Sequence, residues 1–68
     1  MQTMIHVRFS PDGSVTEIGA RPQEVDPQTW FNHLSRAAGN ALQTFAGGRG
    51  LFRLEPQELE RIEDAATK

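Results

Sequence analysis

The chain has 68 residues and a formal net charge of −2, and it carries no cysteine. At that length a single hydrophobic core only just supports a fold, so the chain reads as one small domain, residues 1–68, with no disulfide or thiolate zinc site to brace it. No apolar run approaches the ~20 residues of a membrane span, and Met1 to Ser10 alternates polar with apolar residues instead of forming a signal region. The expected setting is therefore the reducing cytoplasm. A slightly acidic balance argues against a general affinity for nucleic acid, which needs a positive field.

Ile5, Val7 and Phe9 alternate with His6, Arg8 and Ser10, the period of a strand with one buried and one wet face, and predict a first strand over residues 3–10. Ser10-Pro11-Asp12-Gly13 supplies turn chemistry, and a three-residue loop from Pro11 to Gly13 sets Phe9 opposite Val15 and Arg8 opposite Thr16. The second strand runs from Val15 to about Gly19. Ile18 is out of phase with Val15, which calls for a bulge or a departure from the sheet near Glu17 to Gly19. A crossing loop from Gly19 to Glu24 follows.

Asp26 can cap a helix whose first position is Pro27, with Val25 stapled onto Trp30. Trp30, Leu34, Ala37 or Ala38, Ala41 and Phe45 recur at three and four and predict a helix from Pro27 to about Ala46. Gly39 in its middle costs about 1 kcal/mol relative to Ala, which implies either close approach of another backbone, the favoured reading, or a tolerated weakness. Gly47 ends this helix in a left-handed turn. Leu51 to Leu54 then form a short strand with Phe52 and Leu54 on one face and Leu51 and Arg53 on the other. Pro56 opens a last helix with a stripe of Leu59, Ile62 and Ala65 or Ala66. The expected fold is α+β, ββαβα, a three-stranded antiparallel sheet with two helices packed on one face.

No spacing of His6 and His33 with other ligands suggests a metal, no serine sits in a nucleophile turn, and so short a chain has little room for a water-excluding pocket. The chain is expected to bind rather than catalyse, without a cofactor. Gly47-Gly48-Arg49-Gly50 lacks the Lys-Ser/Thr of a phosphate loop and reads as a cap and turn, from which Arg49 can project into a partner. Glu55, Glu58, Glu60, Glu63 and Asp64 face Arg61 alone. Like charges at three and four residues repel, so an acidic stripe costs local stability and suits either a solvated surface or a basic partner. On the uncovered sheet face His6, Arg8, Thr16 and Arg53 are expected, with no aromatic residue to stack on a base, so nucleic acid ranks second as a partner.

Taken together, the size, the absence of cysteine, the hairpin from Ile5 to Ile18, the helix from Pro27 and the acidic helix from Glu55 to Asp64 resemble the small anti-CRISPR inhibitors of phages and mobile elements. That resemblance implies binding to a bacterial CRISPR effector subunit and blocking its access to DNA, with acidic residues imitating phosphates in some members. The family shares no sequence motif, so it assigns no residue here. From charge alone, the partner-binding residues expected for an inhibitor are Glu58, Glu60, Glu63, Asp64 and Arg49, facing a protein with a basic nucleic-acid-binding surface. The other readings are a nucleic-acid-binding regulator that uses Arg8, Arg49 and Arg53, and a homodimer paired through the open sheet or its edge strand.

Overall fold

Residues 2–67 are described by the computed structural model. The alternation of Ile5, Val7 and Phe9 forms β1 (Thr3–Phe9), and the Ser-Pro-Asp-Gly turn leads into β2 (Val15–Ile18). Asp12 organises that turn. Its Oδ1 accepts from the Ser14 amide at 2.9 Å and the Ser14 hydroxyl at 2.7 Å, and also from the Ser10 hydroxyl, while the Ser10 amide donates to the Ser14 carbonyl at 2.8 Å. Phe9 lies opposite Val15 as expected, but Arg8 lies opposite Glu17 rather than Thr16. The phase conflict between Val15 and Ile18 is resolved by a bulge at Thr16, earlier than the stretch from Glu17 to Gly19 in which it was expected. Both apolar residues then pair with the core-facing Phe9 and Val7.

The long helix is shorter than its apolar period suggests. Helix α1 (Pro27–Ala38) starts as predicted, with the Asp26 carboxylate accepting from the Thr29 amide at 2.7 Å and Pro27 in the first turn. It stops at Gly39, followed by a single 3₁₀ turn (Gly39–Ala41) and then a strand, β3 (Leu42–Phe45). The predicted continuation to Ala46 is therefore overturned. So is the close packing expected at Gly39, since a Cβ there would meet nothing within 4 Å; its role is to weaken the helix where it ends. The chain reverses through Gly47 and Gly48, at φ +88° and +72°, into β4 (Arg49–Leu54). These glycines serve a hairpin turn, not the cap of a helix. Helix α2 (Pro56–Ala66) closes the fold.

The sheet consequently has four antiparallel strands in the order β2-β1-β4-β3, and the element order is ββαββα rather than ββαβα. The physical reason lies in β4. Gly50, Leu51, Phe52 and Leu54 are buried, so the backbone groups on both edges of this strand need partners, and only Leu42–Phe45 can supply them on the side away from β1. The helical spacing of Ala41 and Phe45 lost to that demand.

Ile5, Val7, Val15, Phe52 and Leu54 from the sheet pack with Val25, Trp30, Leu34, Leu59 and Ile62 in one cluster, so both helices cover the same face. Trp30 is fully buried, and its indole N–H donates to the Gly19 carbonyl at 3.0 Å, which ties the crossing loop to the core. Phe31 meets Phe9 edge-on at 5.4 Å and Phe52 at 5.7 Å between ring centroids. Gly50 makes room for this stack: a Cβ there would come within 3.0 Å of the Phe9 ring and 3.3 Å of the Gln43 carbonyl oxygen. The outer edge of β2 is partly sealed, because the Val15 amide donates to the Gln28 side chain of α1 at 2.8 Å.

Candidate functional site

With both helices on one side, the other face of the sheet is left uncovered, and strand register decides what it displays. Opposed residues share a face, neighbouring strands lie about 4.8 Å apart, and alternate residues of a strand about 6.8 Å apart. One row across the sheet reads Glu17, Arg8, Arg49 and Phe45; the next reads His6, Leu51 and Gln43; the third pairs Met4 with Arg53. Leu51 stands apart from the core cluster yet is only 6% exposed, so it forms an apolar floor beneath its longer neighbours. Met4 (60% exposed) and Phe45 (47%), the two large apolar side chains that are most open to water among the described residues, both lie on this face.

A shallow trough of about 980 Å³ runs over it, lined among others by Met4, His6, Arg8, Phe45, Arg49 and Leu51. Arg21 stands at its rim with its guanidinium donating to the Val25 carbonyl at 2.6 Å. The guanidiniums of Arg8, Arg49 and Arg53 are engaged in no hydrogen bond or ion pair among the described residues. Arg8 and Arg49 are directly opposed, which costs stability unless an anion sits between or above them. Glu17 flanks Arg8 on the far side and offsets part of that charge.

The structure therefore sets Arg8 directly opposite Arg49, from strands far apart in sequence, places Arg53 two rows away on the same face, and adds an aromatic ring, Phe45, that the helical period keeps off this face. The apolar period places Phe45 on a helix, whereas it lies in β3. The signal that could have placed it is the hairpin symmetry of Leu42 to Phe45 and Arg49 to Phe52 about a glycine-rich turn, masked by the helical period.

The acidic residues gather less well. Glu58, Glu60, Glu63 and Asp64 all lie on α2, but at 3.6 residues per turn only Glu60, Glu63 and Asp64 share a flank. Glu58 lies on the other flank with Arg61, in a groove of about 390 Å³ between the helices that also holds His33 and Arg36 of α1. Arg49 belongs to the sheet face and joins neither group.

Among the described residues no group of three metal-ligating side chains converges, and no helix is long and apolar enough to cross a membrane. The chemistry available on the sheet face is ionic pairing, hydrogen bonding and stacking. Comparison with family models, with curated proteins and with solved structures finds no match to this chain.

Proposed function

We propose that this protein is a non-enzymatic nucleic-acid-binding protein that works through the uncovered face of its sheet. The observation that carries this reading is the facing pair Arg8 and Arg49, joined on the same face by Arg53. The facing guanidiniums of Arg8 and Arg49 hold a like-charge arrangement that a bound phosphate would relieve, and Arg53, two rows further along β4, offers a further contact on the same face. Guanidiniums bind phosphate through paired hydrogen bonds and need no cofactor. The net charge of −2 is no obstacle, because the sheet face carries Arg8, Arg49 and Arg53 against Glu17, while Glu58, Glu60, Glu63 and Asp64 lie on α2. The test is an anisotropy titration with labelled DNA at low salt, repeated with Arg8, Arg49 and Arg53 each changed to Ala. Each phosphate contact removed is expected to lower the slope of log K against log salt by about 0.7 to 0.9. Binding that is absent, or indifferent to all three substitutions, would refute the reading.

A second reading rests on the shared flank of Glu60, Glu63 and Asp64. In that reading the chain is an inhibitor whose acidic helix occupies the basic surface of a nucleic-acid-handling protein, in the manner that the resemblance to anti-CRISPR proteins implies.

A further inference from the structure

We infer that the ligand of the sheet face is single-stranded nucleic acid, with Phe45 as the platform on which a base stacks and Arg49 beside it as the phosphate contact. This rests on the nucleic-acid reading above and narrows it. A duplex presents phosphates outward and keeps its bases stacked inside, so a surface fitted to it is basic and polar, and sequence-reading elements protrude into a groove. This face is the reverse. Its arginines are interleaved with Met4, Leu51 and Phe45, and its residues lie on regular strands with no helix standing out from it.

Apolar side chains that cover no part of the core have a use where unstacked bases can lie flat on them. Phe45 meets that condition. It is half exposed, lies on the outermost strand directly opposite Arg49, and sits at the mouth of the Gly47-Gly48 turn. Leu51 and Gln43 form the next row, so a strand that leaves Phe45 toward Arg53 passes over an apolar floor with one amide at its side. The acidic α2 belongs to the covered side of the sheet, so it repels phosphates from the rest of the surface and leaves this face as the place where a polyanion can settle.

The experiment compares labelled oligo(dT) of about 16 nucleotides, a duplex of the same length and poly-glutamate, each titrated by anisotropy at low salt against the wild type, F45L and R49A. F45L keeps an apolar side chain at a half-exposed edge position, so a thermal melt should leave the fold intact while the stacking ring is lost. The expected result is tighter binding of oligo(dT) than of duplex, weakened at least about ten-fold by F45L, with R49A weakening both nucleic acids. Equal affinity for duplex and single strand, indifference to F45L, or binding of poly-glutamate as tight as of oligo(dT) would overturn this inference while leaving the arginine face standing. Binding to neither nucleic acid would overturn the function proposed above as well.

Discussion

Ala20 is the one non-glycine residue with a positive φ, at +57°, among those described. An L-residue in the left-handed region is strained by roughly 1–2 kcal/mol, and Ala has no side-chain hydrogen bond with which to offset it. The reason it is held there lies next door: the Gly19 carbonyl accepts from buried Trp30, and the Gly19 amide donates to the His6 carbonyl at 2.9 Å, so the chain must turn sharply as it leaves β2. Ala20→Gly removes the strain but adds backbone freedom to the unfolded chain, worth about 0.5–1 kcal/mol in the other direction. The expected net gain is about 0.5 kcal/mol, read as a rise of roughly 2–4 °C in melting temperature. A lower melting temperature would mean that the Ala20 methyl contributes more than its exposed position indicates. At the same scale, Asp26 and Asp12 were both identifiable from the sequence as cap and turn residues, because their hydrogen bonds reach only three residues or fewer along the chain.

Among the elements, the Asp12 turn and the β3–β4 hairpin contrast what sequence makes legible with what it hides. The first hairpin follows from local chemistry. Three donors, the hydroxyls of Ser10 and Ser14 and the Ser14 amide, hold the Asp12 carboxyl at a pKa of about 2, below its ordinary 3.8. A carboxyl with a lowered folded pKa contributes stability that is present above pH 3.8 and is lost as the pH falls toward 2. Asp12→Asn should therefore abolish this group's share of the acid sensitivity. The stability difference between wild type and variant is expected to be constant above about pH 5 and to shrink between pH 4 and 2, as measured by urea unfolding at each pH. A difference that does not change with pH would mean that the carboxylate is no better held in the folded chain than in the unfolded one. The second hairpin is not local in the same sense. Ala41 and Phe45 continue the helical stripe of Trp30 and Leu34, and only the unmet backbone of a buried β4 selects strand over helix. That requirement is tertiary and invisible to periodicity. Its consequence for function is large, because it moves Phe45 from the core side of a helix to the open face of the sheet. The strand faces of Arg8 and Arg53 could be read from alternation alone, whereas the row that sets Arg8 beside Arg49 and Phe45 required the strand order.

Over the molecule as a whole, the decisive feature is the separation of charge. Arg8, Arg49 and Arg53 lie on the open face, and Glu60, Glu63 and Asp64 lie on a helix packed against the other side of the sheet. The shortest extent of the molecule is 17 Å, about two Debye lengths at physiological salt but well within one at ~0.01 M. Changing Glu60, Glu63 and Asp64 together to Lys shifts the net charge by six, from −2 to +4, without touching the sheet face. If the sheet face is the site, this variant should bind oligo(dT) more tightly than wild type at ~0.01 M salt, and the advantage should fade at ~0.15 M as screening isolates the two surfaces. If the acidic flank is the site, the outcome differs in kind. A partner protein captured by the wild type from a nuclease-treated bacterial lysate should be lost with the variant at every salt concentration, because direct contacts reverse sign and close pairs are only weakly screened. The two measurements use the same variant and respond to different distances: one reads a field acting through the molecule, the other a contact at its surface. The salt at which the effect of the triple substitution disappears thus reports which face meets the ligand.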